Sequence, residues 1–180
     1  MTAFVGLGAN LPFEQQPPEE TLGRALTALG RLPTVRLLSC SSLWKSRPVE
    51  ALGPDFINAV AEVETSLSPE AMLNQLLAIE QQFGRVRPAS SEGAAAARTL
   101  DLDLIWMGHQ RRSLPELCLP HPRAAGRAFV LAPLAEIRPA LRLTEDATCT
   151  VEELLEPLLA HDPQCVTRLD RPYARAAASH

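Results

Sequence analysis

From Leu100 to Leu104 the chain alternates apolar and acidic residues, Leu100-Asp101-Leu102-Asp103-Leu104. A period of two is that of a β-strand, whose successive side chains point to opposite faces. The three leucines are expected to face a core, and the two aspartates to share the other face. Residues 2–8 form a short apolar run ended by Gly8-Ala9-Asn10-Leu11-Pro12, which reads as a strand and then a tight turn. Residues 13–20 are polar and proline-rich, a loop. Leu22, Ala25, Leu26 and Leu29 have the spacing of an amphipathic helix over 19–32. Residues 35–44 read as a strand broken by Ser46-Arg47-Pro48, and residues 56–64 alternate as another. Ser68 is placed to cap a helix that has Pro69 at its first position, an apolar face from Met72 to Phe83, and Gly84 as its stop. A loop follows over 85–97, then the double-aspartate strand. The prolines of 117–122 keep that stretch extended. Short helices are expected over 123–134 and over 151–159, the second limited by Pro157, and residues 171–180 read as a flexible tail.

The predicted order is βαββαβ followed by helices. That is the ferredoxin-like arrangement of the α+β class: an antiparallel sheet with helices on one face, here with C-terminal helical additions. With 180 residues, a single domain over 1–170 is expected. Formal net charge is −4 and no dense basic run occurs, which argues against nucleic acid as a partner. Four cysteines, Cys40, Cys118, Cys149 and Cys165, include no C-x-x-C pair or zinc-site spacing. No signal-peptide pattern opens the chain and no apolar run reaches membrane-spanning length. The expectation is a soluble cytoplasmic protein without a membrane partner.

Asp is depleted in strands, and two on one face repel each other, so the Asp101–Asp103 pair calls for a reason. Carboxylates two strand positions apart can share one hard cation or a close pair of them. Arg98 precedes them, and Arg85 and Arg87 open the loop that Arg98 closes; metal plus arginine is a common clamp for phosphoryl groups. The bland alternatives are a wet strand face and a solvated loop. His121 stands between two prolines on a stiff backbone and is suited to donate to a phosphate oxygen. Trp44, Phe56 and Phe129, with Asn58, are residue types that stack on and hydrogen-bond a flat heterocycle, or that simply fill a core. Gly6-Leu7-Gly8 has neither the spacing nor the lysine of a phosphate-binding loop.

Several segments together resemble one family. Gly6-Leu7-Gly8-Ala9-Asn10-Leu11 is similar to its G-x-G-S-N-L opening, and Phe56-Ile57-Asn58-Ala59-Val60 to its F-x-N-A-V strand. Ile79-Glu80 and Gly84-Arg85-Val86-Arg87 resemble its helix end and G-R-x-R. Arg98-Thr99-Leu100-Asp101-Leu102-Asp103 resembles its most specific signature, and Pro120-His121-Pro122 with the Arg127 to Leu134 segment its C-terminal block. The family is 6-hydroxymethyl-7,8-dihydropterin pyrophosphokinase, and the resemblance runs in order from residue 4 to about residue 139.

The resemblance implies transfer of the terminal diphosphate of ATP to the pterin hydroxymethyl group, with release of AMP. It implies two magnesium ions on Asp101 and Asp103, and Arg85 and Arg98 stabilising the transferring group. Glu80, His121 and Arg127 are expected at the nucleotide. Ser46 and Val49 are expected to border the pterin, Asn58 to hydrogen-bond it, and Phe56 and Phe129 to flank its ring. The small-molecule substrates, ATP and the pterin, are the only partners implied, with the chain acting as a monomer. The chain departs from the family in having Ala9 for the usual Ser, Trp44 for the usual Tyr and Arg47 where a small residue or proline is usual. Ala94 to Ala97 fill the place of a Trp and a Pro before the double-aspartate strand, so a looser lid is expected there. A degenerate binding member, an interaction module and a different phosphotransferase on the same fold are the competing readings.

Overall fold

The structure is a computed structural model that describes residues 1–48, 53–85, 98–144, 148–162 and 165–170. Strand β1 (Thr2–Ala9) lies between β4 (Phe56–Thr65) and β5 (Asp101–Met107), antiparallel to both. Beyond β4 come β2 (Val35–Cys40) and β3 (Trp44–Ser46), both paired with it, and then β8 (Val166–Arg168) on the far side of β3. Helices α1 (Pro18–Gly30) and α2 (Pro69–Gln82) link β1 to β2 and β4 to β5. The order through β5 is βαβββαβ, the ferredoxin-like βαββαβ order with its second strand split into β2 and β3, and the sheet is antiparallel as in that fold. A short hairpin of β6 (Arg112–Ser113) and β7 (Cys118–Leu119), then α3 (Ala128–Ile137) and α4 (Val151–His161), complete the described elements.

Period-two alternation makes two cores. Ala3, Val5, Leu7 and Ala9 of β1, with Ile57, Ala59, Ala61 and Val63 of β4, face α1 and α2. Leu22, Ala25 and Leu29 of α1 and Met72, Leu76 and Ile79 of α2 meet them there, as their helical spacing predicts. On the opposite face, Phe4, Val60 and Ile105 pack with Leu131 and Leu134 of α3 and Val151 and Leu155 of α4. The C-terminal helices cover only part of this second face, so it is not open along its whole length.

Local chemistry explains the element ends. Ser68 Oγ accepts from the Ala71 N–H at 3.2 Å, with Pro69 in the first turn of α2. Thr150 and Glu153 form a reciprocal capping box at α4. The stretch 35–44 is not one strand. At Ser41 the hydroxyl takes the ladder's place, accepting from the Val60 N–H at 3.0 Å, and the chain re-enters the sheet as β3, which includes Ser46. Helix α1 begins at Pro18, so the loop before it is shorter than expected. Residues 123–134 divide into a 3-10 turn (Ala124–Gly126) and α3, because Arg127 is extended. Pro157 does not end α4, which continues to His161. Strand β8 lacks a clear alternation signal and was not expected. Residues 171–180 lie outside the described residues.

Candidate active site

Gly6-Leu7-Gly8 lies in the last part of strand β1, which runs one residue past the expected 2–8 to Ala9. Gly8 sits opposite Asn58 on one side and Asp101 on the other; Gly6 sits opposite Val60 and Asp103. Both glycines face away from α1 and α2. Strand β1 therefore adds no side chain to the middle of that face; Ile105 leans over Gly6, and a cleft of about 530 Å3 opens beside it over Gly8. A glycine inside a strand marks a place where something must come close to the backbone.

Around this bare floor the fold gathers residues from distant parts of the chain. Ser46, Arg47, Phe56 and Asn58 line one end; Arg85, Arg98, Asp101 and Asp103 the other; His121, Arg123, Arg127 and Phe129 the wall between. Trp44 is not among them. Its indole N–H donates to Glu136 at 2.9 Å and its ring packs in the second core. Val49, Arg87 and Ala94 to Ala97 lie outside the described residues.

Strand β5 is an edge of the sheet, and its outward backbone groups dock two parts of the site. The Leu102 N–H donates to Glu80 Oε1 at 2.7 Å, and the His121 N–H donates to the Ile105 carbonyl at 2.8 Å. Glu80 is 1% exposed and does not line the cleft. It reaches the site through Arg85, whose guanidinium pairs with it. The main chain repeats that tie. Gly84 adopts φ +74°, its N–H donates to Gln81 O, and the Arg85 N–H donates to Glu80 O, both at 3.1 Å. This is a Schellman stop of α2. The hydrophobic contact that often closes such a stop is here the Glu80–Arg85 ion pair.

Arg98 is fixed from β1. Its N–H donates to Asn10 Oδ1 at 2.7 Å, and its carbonyl accepts from the Asn10 and Leu11 N–H groups at 3.0 and 3.1 Å. Asn10, 4% exposed, also donates to Pro54 O at 3.2 Å, so one amide ties three segments together. Both Arg85 and Arg98 pair with Asp101. Asp103 has no such partner among the described residues. Burial, and next the charge of Asp101, push its carboxyl above the usual range, and His121, Arg98 and Arg127 only partly offset this. Burial holds the His121 imidazole below its ordinary value, against the pull of Asp103. Its Nδ1 accepts from the Arg123 N–H at 3.2 Å, which leaves Nε2 to carry the proton of the neutral ring. Burial, and then Arg123, press Arg127 below its ordinary value, and its guanidinium stands 5.3 Å from the centre of the Phe129 ring.

At the other end, Asn58 donates through Nδ2 to Ser46 Oγ at 2.9 Å and to Trp44 O at 3.3 Å, which fixes the amide plane. Its Oδ1 faces the strand floor, 3.5 Å from where a Cβ on Gly8 would stand. Phe56 and Phe129 approach from β4 and α3. The site residues not anticipated from the chain are the two floor glycines, Asn10, Arg47 and Arg123. The strand glycines and the buried amide leave no periodic signal, although two glycines at an interval of two match a strand face.

No group of three or more metal-ligating side chains occurs among the described residues. Two carboxylates on one strand face are a sparse donor set of hard oxygens. That suits magnesium, which is held by one or two carboxylates and completed by phosphate and water, better than it suits zinc or calcium. The half-buried Asp103 carboxyl, without an ion-pair partner among the described residues, is consistent with such a counter-charge. Five arginines and two aspartates line the cleft of a chain whose net charge is −4. Cationic character is thus concentrated where a polyanion would sit.

Comparison with known proteins gives one answer. The sequence profile of the 7,8-dihydro-6-hydroxymethylpterin-pyrophosphokinase family matches residues 4–139. The chain is 43% identical over 143 residues to the 2-amino-4-hydroxy-6-hydroxymethyldihydropteridine pyrophosphokinase of Pseudomonas aeruginosa, covering 79% of this chain and 83% of that one. It is 38% identical over 162 residues to the enzyme of the same name from Haemophilus influenzae, covering 89% and 95%. Among solved structures, Plasmodium falciparum HPPK-DHPS superposes with a TM-score of 0.65 at 13% identity, over 93% of this chain. An HPPK-DHPS in complex with substrates gives 0.70 at 12% identity. The chain spans 47% of each of those two longer proteins, and at such identity they speak to the fold. The chain belongs to the 7,8-dihydro-6-hydroxymethylpterin-pyrophosphokinase family.

Proposed function

We infer that this chain, as one domain over residues 1–170, transfers diphosphate from ATP to 6-hydroxymethyl-7,8-dihydropterin in folate synthesis. In this reading the pterin lies at the Asn58 end and the ATP phosphates at the Asp101 end of the cleft. The observation that carries the assignment of ends is the split of the lining. Both aspartates, with Arg85 and Arg98, line the β5 side, whereas the β3–β4 side presents Ser46, Phe56 and Asn58 with Arg47 as its charged group among the described residues. Asn58 Oδ1 accepts from an N–H on the edge of the heterocycle, beside Ser46. Phe56 and Phe129 flank the ring.

In the transfer, the substrate hydroxyl oxygen bonds to the β-phosphorus and the bond from that phosphorus to the α-phosphate oxygen breaks. AMP leaves, and the hydroxyl proton passes to solvent. No covalent enzyme intermediate is needed. Asp101 and Asp103 would hold two magnesium ions, which would supply charge neutralisation to the phosphates. Arg85 and Arg98 move from Asp101 to the transferring group, where charge accumulates. The His121 Nε2–H donates to a phosphate oxygen, Arg127 adds a second cation, and Glu80 keeps Arg85 aimed. Positioning and charge neutralisation are the main requirements of such a reaction. No described helix is long and apolar enough to cross a membrane. A cytoplasmic monomer with neither nucleic acid nor membrane as partner is part of the proposal.

The test is AMP release from ATP and magnesium, with and without the pterin. Pterin-dependent AMP that is lost in Asp101→Ala supports the reading. ADP would mean an ordinary kinase on this fold, and ATP binding without turnover would mean a binding protein.

A further inference from the structure

The turn that delivers Arg85 is covered from outside by side chains that the reaction itself does not use. A Cβ on Gly84 would stand 2.9 Å from Phe13 Cε2, so the Phe13 ring lies directly on the turn. Phe83, the residue before Gly84, meets that ring at 5.5 Å between centres and an angle of 49°. The Arg24 guanidinium stands 5.6 Å from the Phe13 centre and 5.4 Å from the Phe83 centre. Both of its terminal nitrogens donate at 3.0 Å to Glu14 Oε2.

Phe13 is held there by an unusual hairpin. Phe13 and Gln16 exchange backbone hydrogen bonds of 3.1 and 2.8 Å. The two residues between them, Glu14 and Gln15, have φ of 50° and 65°. Residues other than glycine rarely take that left-handed conformation, and it persists where the surroundings enforce it. Here the exposed Arg24–Glu14 pair ties the turn to helix α1. A strained turn, a charge pair and an aromatic pair thus converge on the single residue that precedes Arg85.

We propose that Phe13, backed by Arg24, is a positioning residue for diphosphate transfer: it holds the Gly84 turn in the conformation that presents Arg85 to the cleft. The proposal rests on the reading of Arg85 as a residue that acts on the transferring group. A clamp of this kind acts on the rate through Arg85 alone, whereas a merely stabilising aromatic contact acts on the whole fold.

The experiment measures kcat, the KM of each substrate and Tm for Phe13→Ala, Phe13→Leu and Arg24→Gln, each made in the natural chain and in an Arg85→Ala background. Phe13→Ala is expected to lower kcat by about tenfold to a hundredfold, the scale of a misplaced catalytic group, with the pterin KM unchanged. In the Arg85→Ala background the same change should alter kcat by less than about twofold, as for two residues acting as one unit. Phe13→Leu, which keeps bulk over Gly84, should restore most of the rate. Arg24→Gln lies at the surface and should show the same background dependence where Phe13→Ala fails to fold. Equal losses in both backgrounds, or an unchanged kcat beside a normal Arg85→Ala loss, overturn the clamp alone. An Arg85→Ala variant with full kcat overturns the reading of Arg85 and the clamp with it.

Discussion

The two faces of the sheet come from the same strands and follow opposite rules. On the covered face, Val5, Leu7, Ala59, Ala61, Leu102 and Leu104 are buried against α1 and α2. On the cleft face, the intervening positions are Gly6, Gly8, Asn58, Asp101 and Asp103. The first face removes apolar surface from water along its length; the second does so only where Phe4, Val60 and Ile105 meet α3 and α4, and elsewhere leaves glycine backbone between carboxylates and an amide. Alternate positions of a strand are therefore separate territories, and stability and chemistry can be altered one at a time.

The largest effect should come from the aspartates. Asp101→Ala or Asp103→Ala is expected to lower kcat by about a thousandfold or more, the scale of losing transition-state charge stabilisation. Tm should change little for Asp103→Ala, which relieves the repulsion with Asp101, and fall modestly for Asp101→Ala, which also gives up the pairs with Arg85 and Arg98. Pterin-dependent AMP release and a thermal melt read the two quantities. If either variant unfolds the chain, the separation of territories is broken. Leu102→Ala, between those aspartates, should do the reverse. It should cost about 2–5 kcal/mol of stability in urea, as for other buried leucines, while the folded fraction keeps its kcat.

A finer test lies at the floor. At Gly8 a Cβ would meet nothing closer than Asn58 Oδ1 at 3.5 Å, an ordinary contact. Gly8→Ala should therefore leave stability equal or raise it by about 0.5–1 kcal/mol. It should also raise the pterin KM by about tenfold, on the scale of one obstructing methyl group. A lower Tm or an unchanged KM would argue that the floor is not where substrate rests. The smallest effect concerns Glu136, which binds Ser42, Trp44 and Arg168. Burial raises its pKa, but donation from Ser42 and Trp44 outweighs burial and holds the carboxyl below the usual range. A carboxylate with a depressed folded pKa stabilises above its unfolded pKa and loses that contribution as pH falls through the folded value. The stability advantage over Glu136→Gln should be present at neutral pH and fade in urea titrations below about pH 4.5.

Most of the framework is legible in the sequence where a side chain announces its environment. Ser68, Pro69 and Gly84 mark both ends of α2, and the Leu–Asp alternation of β5 marks both faces of its strand. Legibility fails where the signal is a missing side chain or a substituted hydrogen bond. Gly6 and Gly8 fall in and at the end of the expected strand, but a missing side chain carries no polarity pattern that marks them as the floor of a cleft. Ser41 reads as part of a strand because its hydroxyl imitates the ladder it interrupts. Glu80 lies one residue beyond Ile79 on the apolar stripe of α2. Its burial was readable, but its partner, a backbone N–H of an edge strand, appears only once the sheet is assembled.

The stop of α2 by a Schellman turn has a consequence for insertions and deletions. Arg85 is the third residue past the helix, so its direction depends on the phase in which the helix ends. A helix advances 100° and 1.5 Å with every residue. One residue added to or removed from the 14 of α2 would swing Glu80 off the edge of β5 and turn Arg85 out of the cleft, with every cap and core contact chemically intact. The helix is a spacer of fixed length, and variation along it is confined to substitution.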